Sequence, residues 1–218
     1  MLTFAIGDIH GCLALLVDLL RQIERAARHG PHRIVCLGDL IDRGPDSAGV
    51  VRMLRDMQAR EPGRLVCLKG NHEDLMLRAA RRDASVGVWL ANGGRETLES
   101  FGAGDIGDVP ADILAWIEAC PTFLDDGRRY FVHAGLNPAS DREHQRDADR
   151  LWIREVFLES DHDFGRYVVH GHTPIRTARP DARRTRLNID TAAAYGGRLT
   201  AAIFTDEEDR AVDFLQAG

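Results

Sequence analysis

Short apolar runs alternate with amphipathic stretches through the first third of the chain. Residues 2–6, 33–37 and 64–68 are apolar and largely β-branched, as in strands buried on both faces of a sheet. Between them, residues 12–29 and 47–60 place their apolar side chains on one face at helical spacing. This alternation predicts βαβ units, with a largely parallel sheet and helices on its faces.

Punctuating residues set the bounds of the predicted helices and of a hairpin. Gly30-Pro31 ends the first helix, Pro62-Gly63 follows the second, and a third is predicted to run to about Arg82. A helix is also predicted over residues 110–119. Asp126-Gly127, between the predicted strands over residues 122–125 and 128–133, predicts a β-hairpin.

The rest of the chain is richer in predicted strands. The polar, Pro-containing stretch 136–149 is expected to be a loop. Further strands are predicted over residues 167–170, 187–190, 199–205 and 211–215. The fold expected is a single domain over residues 1–218, an α/β sandwich flanked by helices, parallel at first and more antiparallel later.

Composition narrows the class of protein. At 218 residues the chain suits one well-buried domain, and its net charge of −6 argues against a nucleic-acid surface. No apolar stretch approaches the roughly 20 residues that span a bilayer, and the N-terminus lacks the basic start of a signal peptide. Cys36 and Cys67 lie inside apolar runs, which favours buried reduced thiols and a cytoplasmic protein.

Metal-binding side chains cluster at the ends of the predicted strands. Each of five short segments follows an apolar run, so its side chains can converge at one edge of a sheet although they are distant in sequence. A mixed set of carboxylate, imidazole and carboxamide groups suits two divalent ions such as Mn²⁺, Fe or Zn²⁺. The segments are Gly7-Asp8-Ile9-His10-Gly11, Gly38-Asp39-Leu40-Ile41-Asp42-Arg43-Gly44, Gly70-Asn71-His72-Glu73, His133-Ala134-Gly135 and His170-Gly171-His172-Thr173.

Each of these residues taken alone has an ordinary alternative. Asp39 could cap a helix, Asn71 could stabilise a turn, and His133 or His172 could be a hydrogen-bonded structural histidine. His72 could be either a ligand or a proton donor. Five coincidences of residue type and position are much harder to explain in this way, so the whole set predicts a binuclear metal hydrolase.

The same five segments, in this order, closely resemble the calcineurin-like metallophosphoesterases. Within that family they look most like the compact bacterial and phage type of the phosphoprotein phosphatase branch. The motifs span residues 7–173, about three-quarters of the chain. The resemblance implies a β-sandwich of mixed sheets with the metal site at the carboxyl ends of the strands.

The resemblance also implies roles for single residues. Two residues hold the first metal, one bridges both ions, and three complete the second site; in that order they are Asp8 and His10, Asp39, and Asn71, His133 and His172. His72 would be the general acid, oriented by Asp42. Arg43 and Arg154 would bind the phosphate together with Asn71, Arg154 being carried over from a weaker Trp-x-Arg match. His170 and Glu73 are expected to be structural.

The expected chemistry is direct in-line attack on a phosphoester. Two cations lower the pKa of a water held between them and clamp the phosphoryl oxygens, so that no phosphoenzyme is needed. The first hypothesis is that the chain is a protein serine/threonine phosphatase, with a phosphorylated protein as its substrate. Symmetrical diadenosine tetraphosphate hydrolysis and broad nucleotide or small-molecule phosphomonoesterase activity are the alternatives, and the oligomeric state stays open.

Two further alternatives are that the protein is an inactive scaffold, and that the segment 86–104 has one of two roles. A metal-dependent scaffold without activity would be expected to lose His72, Asp42 or Arg43, and all three are present. The segment 86–104, with Trp89 and Asn92-Gly93-Gly94, is expected either to overhang the site and set specificity or to be a packing insertion.

Overall fold

Two five-stranded β-sheets form the centre of the computed structural model, which describes residues 1–82 and 86–218. The strands are β1 (Leu2–Ile6), β2 (His32–Cys36), β3 (Leu65–Cys67), β4 (Phe123–Asp125), β5 (Arg129–Val132), β6 (Tyr167–His170), β7 (Asp181–Ala182), β8 (Arg186–Asn188), β9 (Leu199–Phe204) and β10 (Asp213–Ala217). The α-helices are α1 (Leu13–Ala26), α2 (Ser47–Arg60), α3 (Asn71–Arg81), α4 (Val86–Trp89), α5 (Arg95–Phe101), α6 (Ala111–Ala119), α7 (Asp147–Trp152) and α8 (Glu155–Leu158). Shorter turns are a π-helical segment over Leu90–Gly94 and 3₁₀ turns over Ile106–Asp108, Arg142–His144 and Ala193–Tyr195.

Both sheets combine three parallel strands with two that pair antiparallel, which lie together at one edge of the first sheet and at opposite edges of the second. The first has the order β10-β9-β1-β2-β3, with β1, β2 and β3 parallel. The second has the order β4-β5-β6-β8-β7, with β5, β6 and β8 parallel. Hydrogen bonds between residues that follow β2 and β5, and between those that follow β1 and β6, bring the carboxyl ends of these strands to one shared edge.

Side chains alternate between the two faces of each sheet and build a layered core. Ala5 of β1 packs between the sheets with Phe131 of β5, whereas Phe4 faces Leu16 of α1. On the outer face of the second sheet, Phe157 of α8 covers β5 and β6. Each fully buried Phe or Leu side chain stabilises the folded state by about 1.5–3 kcal/mol relative to an exposed one. This packing therefore fixes the positions of the helices and sheets around the shared edge.

The predicted α/β sandwich is confirmed, and several elements have the predicted bounds. The helix over Ser47–Arg60 and the strand over Tyr167–His170 match residue for residue. Asp46 caps that helix by accepting from the Gly49 amide at 2.7 Å. The first helix ends at Ala26, three residues earlier than predicted, because Arg28 and His29 adopt left-handed conformations (φ of 51° and 57°).

One prediction about the second half of the chain is confirmed and one is wrong. The later strands are more antiparallel than the first three, as predicted, although β5, β6 and β8 pair in parallel. The stretch 136–149 is not wholly a loop, since α7 begins at Asp147. Asp147 and Asp149 in its first turn favour a helix N-terminus electrostatically, a signal hidden in a stretch that is polar throughout.

Candidate metal centre and active site

The five motif segments converge where the two sheets share an edge. The amide of His172, after β6, donates to both carboxylate oxygens of Asp8, after β1, at 3.2 and 3.1 Å. The six candidate ligands all have at most 5 % of their surface exposed, so little water can compete for their polar atoms. They are Asp8, His10, Asp39, Asn71, His133 and His172.

Asp39 lies between two groups of histidines. Its Oδ2 is 3.4 Å from His10 Nε2 and 3.9 Å from His72 Nε2, while its Oδ1 is 3.3 Å from His133 Nε2. Potential ligand atoms of His10, Asp39 and His72 lie within 4.8 Å of one another, and so do those of Asp39, His133 and His172. One carboxylate therefore belongs to two adjacent clusters, as a bridging ligand would.

Asn71, His133 and His172 form the second cluster with Asp39. Asn71 Oδ1 lies 2.8 Å from both His133 Nε2 and His172 Nδ1, and these two nitrogens are 3.2 Å apart. His172 Nε2 is buried without a hydrogen-bond partner. Because α3 begins at Asn71, directly after the loop that follows β3, the first residue of this helix points its amide at the carboxyl ends of β5 and β6.

The protonation states of the histidine rings indicate whether these clusters could hold cations. His133 Nδ1 faces the Leu37 carbonyl at 3.0 Å and His10 Nδ1 faces the Ile41 carbonyl at 2.8 Å, so each donates its ring proton to the backbone. Burial lowers the pKa of His133 and lowers that of His10 to about 3, which leaves both rings neutral. Their Nε2 lone pairs therefore point at carboxylate and amide oxygens. Converging acceptors of this kind suit a positively charged ion.

The carboxylates make the same pocket electronegative. Burial first, and then Asp190 and Asp39, raise the pKa of Asp8 well above its ordinary value. Burial likewise raises the pKa of Asp190 to about 6. Since like charges close together in a buried site disfavour ionisation, these carboxylates gain most from a cation between them. The residues present fit two divalent ions.

Several site residues adopt the left-handed backbone conformation that non-glycine residues avoid. Their φ angles lie between 47° and 72°. Each such residue costs of order 1–3 kcal/mol unless its surroundings hold it, and this kind of strain is typical of functional loops. The residues are His10, Asp39, Asp42, Arg43 and His172.

His72 and Asp42 form a buried pair beside the first cluster. His72 Nδ1 lies 2.7 Å from Asp42 Oδ2, and the exposed fractions of the two side chains are 1 % and 0 %. Burial opposes charge on His72, but Asp39 and then the Asp42 hydrogen bond outweigh it and raise the pKa of the imidazole. The pair can therefore keep a proton on His72 and present Nε2 towards Asp39.

Glu73 holds the second motif loop. Its carboxylate accepts from the amides of Asp39, Leu40 and Ile41 at 2.9, 2.8 and 3.3 Å, and from that of Gly70 at 2.7 Å. Burial and then Asp39 raise its pKa to about 7. All four amides belong to loop backbone at the strand ends, so the geometry agrees with the structural role predicted for this residue.

Two arginines flank the clusters. The half-buried Arg43 contacts His10 Nε2 through its guanidinium, which lies 5.3 Å from the centre of the Tyr195 ring. Arg154 is exposed at the start of α8. Burial lowers the pKa of His133 and His172, and the charge of Arg154 adds a smaller lowering to both. Both guanidinium groups can therefore bind an anion at the clusters.

Comparison with known proteins agrees with this geometry. The sequence model described as "Calcineurin-like phosphoesterase" matches residues 1–203. The chain belongs to the calcineurin-like phosphoesterases. It is therefore a metal-dependent phosphoester hydrolase by family.

Two relatives in the family match nearly the whole chain. Serine/threonine-protein phosphatase 1 of Salmonella typhimurium is 34 % identical, covering 91 % of this chain and 90 % of the relative. The asymmetrical bis(5'-nucleosyl)-tetraphosphatase PrpE of Bacillus velezensis is 26 % identical, covering 95 % and 91 %. The structure of a protein serine/threonine phosphatase from Saccharomyces cerevisiae has a TM-score of 0.67 at 15 % identity, covering 100 % of this chain and 79 % of the other. That likeness shows a shared fold.

Not every residue of this phosphoesterase site was found from the sequence. Asp190 follows β8 just as Asp39 follows β2, so the strand-end pattern could have found it. Trp89 and Thr97, which donate to Asp42, have no comparable signal because their segment follows no strand. Tyr195 sits in a short turn with no motif of its own.

The phosphoesterase structure also shows where His170 lies and what kinds of helix the chain forms. His170 lies outside both clusters, with its ring edge-on to Phe157 at 5.0 Å, as expected for a structural residue. Among the residues described, no helix combines the length and the apolar character needed to cross a membrane.

Proposed function

We propose that this calcineurin-like phosphoesterase is a protein serine/threonine phosphatase. The observation that supports its hydrolytic chemistry is Asp39, whose two oxygens face different histidine clusters beside the His72–Asp42 pair. The substrate class rests on the similarity to the Salmonella phosphatase over nine-tenths of both chains.

The proposed ligand set differs from the two clusters at two residues: Asp8, which accepts from the His172 amide, is added, and His72 is assigned to proton donation instead of metal binding. Asp8, His10 and Asp39 would hold one divalent ion, and Asp39, Asn71, His133 and His172 the other. Oxygen and imidazole donors in this mixture favour Mn²⁺, with Fe or Zn²⁺ as alternatives. When bound, such ions neutralise charge on the phosphoryl oxygens and lower the pKa of the attacking water.

The side chains of the protein then divide the remaining work. His72 donates its Nε2 proton to the departing oxygen, while Asp42 fixes the ring through Nδ1. The guanidinium groups of Arg43 and Arg154 bind the phosphoryl oxygens in a forked geometry that lysine does not provide. Asn71 directs Oδ1 into the second cluster, so its Nδ2 remains to donate to the phosphate.

Dinucleoside tetraphosphates are the second candidate substrates. The relative from Bacillus velezensis carries that activity in its name. In addition, the Tyr195 ring is 61 % exposed beside Arg43, which places a flat apolar surface where a nucleobase could stack.

A side-by-side assay separates these candidates. With Mn²⁺ present, kcat/KM would be measured on phosphoserine and phosphothreonine peptides, a phosphotyrosine peptide and diadenosine tetraphosphate, the last analysed for its split products. The proposal predicts the highest kcat/KM on phosphoserine or phosphothreonine peptides. Preference for the dinucleotide by tenfold or more would reject it in favour of the second candidate, and the product pattern would distinguish symmetrical from asymmetrical cleavage.

A further inference from the structure

Two buried side chains of the 86–101 segment are directed at Asp42. Trp89 Nε1 lies 3.1 Å from Asp42 Oδ2 and 3.2 Å from Oδ1, and Thr97 Oγ1 lies 2.6 Å from Oδ1. Trp89, Thr97 and Asp42 are all fully buried. The carboxylate that contacts His72 is thus also held by an indole and a hydroxyl from 47 and 55 residues further along the chain.

We propose that Trp89 and Thr97 are positioning residues for proton donation by His72. The inference rests on the proposed function, because it concerns the step in which His72 protonates the departing oxygen. It gives this segment a role that neither alternative named, since two of its buried side chains contact the carboxylate that orients His72.

The hydrogen bonds leave the Asp42 carboxylate one orientation. Oδ2 faces His72 Nδ1 at 2.7 Å, Oδ1 accepts from Thr97, and the indole N–H lies between the two oxygens. The Thr97 hydroxyl also accepts from the Asp42 amide at 3.0 Å, and its contact with the carboxylate, at 2.6 Å, is shorter than its contact with Ser47 Oγ, at 3.0 Å. Turning the carboxylate would break several hydrogen bonds to a buried charge, and such bonds are stronger than those between neutral groups.

This arrangement fixes His72 in turn. A carboxylate anion can only accept, so the imidazole must donate through Nδ1, and its Nε2 is the nitrogen that faces Asp39. If the carboxylate could rotate, the imidazole would lose both its preferred tautomer and its direction. The loss would then be felt mainly when a proton must pass to the leaving group.

Glycines in the same segment allow the close approach. A Cβ at Gly94 would come within 2.5 Å of the Trp89 ring, and one at Gly93 (φ 108°) within 2.5 Å of the Arg43 nitrogen. The Gly93 carbonyl also accepts from the Arg43 amide at 3.2 Å. The segment therefore packs directly against the turn that carries both Asp42 and Arg43.

The test compares two leaving groups in one enzyme. The phenol released from phenyl phosphate has a pKa of about 10, as tyrosine has, and departs with help from an acid. The phenolate released from dinitrophenyl phosphate departs without a proton. Wild-type enzyme, Trp89→Phe, Thr97→Val, Thr97→Ser and His72→Asn would be assayed on both esters with Mn²⁺, with metal content and Tm measured for each.

The inference predicts a selective loss. Trp89→Phe and Thr97→Val should each lower kcat on phenyl phosphate by about tenfold, and on dinitrophenyl phosphate by less than about threefold. Thr97→Ser keeps the hydroxyl and should retain wild-type rates on both. Trp116→Phe is the matched control, because it removes an indole N–H that donates instead to Gln58 Oε1 at 2.9 Å, and it should leave the ratio of the two rates unchanged.

Other outcomes would overturn the inference. Equal losses on both esters in Trp89→Phe and Thr97→Val would show a structural role alone, and no loss on either would show no role. If His72→Asn itself lost equally on both, the general-acid role given to His72 under the proposed function would fail first. The two failures are therefore distinguishable.

Discussion

His72 Nδ1 and Asp42 Oδ2 lie 2.7 Å apart in a pair from which solvent is almost excluded. Asp39 stands on the other side of the same imidazole, with its Oδ2 3.9 Å from Nε2. Two neighbouring acidic residues therefore have different surroundings. The carboxylate of Asp42 accepts from His72, Trp89 and Thr97. Asp39 belongs to both histidine clusters.

This difference predicts that rate and metal content separate in two variants. His72→Asn should lower kcat on phosphoserine peptides by about 10²–10⁴-fold, the usual contribution of a general acid, while metal content stays near that of the wild type. Asp39→Asn should lose metal, because one oxygen of the shared carboxylate becomes an amide nitrogen that cannot serve as a ligand. Elemental analysis after gel filtration, paired with the assay, checks both. Equal metal loss in the two variants would contradict the division of roles.

Glu73 predicts a stability effect at the second motif loop. Glu73→Gln replaces one carboxylate oxygen with an NH₂ group that faces backbone donors. It should lower the free energy of unfolding by about 1–3 kcal/mol. For a chain of this size each kcal/mol lowers Tm by about 2–4 °C. Calorimetry checks this against Glu118→Gln, whose exposed carboxylate pairs with the Arg81 side chain and which should change Tm little. Matching Tm values for the two variants would show that the loop does not depend on Glu73.

Asp190 predicts how removal of metal changes stability. Chelation should lower Tm, since an ion present at about a hundredfold its Kd stabilises the folded state by about 2.7 kcal/mol. Asp190→Asn removes one of the buried carboxylates around Asp8, so it should raise the Tm of the chelated protein by about 2 °C and narrow the gap to the loaded protein. Scans with and without EDTA measure both. Asp112→Asn, at an exposed ion pair, serves as control, and an unchanged gap in Asp190→Asn would argue against the cluster of charges.

The cysteines predict a pattern of thiol reactivity. Cys36, Cys67 and Cys120 are buried and free. Burial raises the pKa of Cys120 to about 12. A hydrogen bond with the Cys36 thiol, and then burial, raise the pKa of Cys67. Only the thiolate reacts with an alkylating agent, so the folded protein should be labelled slowly at neutral pH. The first label should appear at the partly exposed Cys12. Intact mass spectrometry should find up to four labels only after unfolding, and rapid labelling of Cys120 in folded protein would contradict the burial.

Among the described elements, local periodicity was enough to locate nine of the ten strands and four of the eight α-helices, namely the longer helices α1, α2, α3 and α6. The one-sided apolar pattern over Ser47–Arg60 and the apolar run over Tyr167–His170 each depend on neighbouring residues, and both elements were predicted to the residue. The motif residues were also found, because each is a polar group placed directly after such a run. Their convergence follows from the parallel strands, whose carboxyl ends meet at one edge.

Sequence by itself determined most of the strands, the longer helices, and which polar groups stand at the strand ends. Only the tertiary structure decided that β9 lies beside β1, that β5, β6 and β8 are parallel, and that Trp89 and Thr97 hold Asp42. The physical reason is range. Hydrophobic periodicity acts between residues a few positions apart, whereas these pairings join residues from tens to about two hundred positions apart, and they arise only when the sheets and helices pack together.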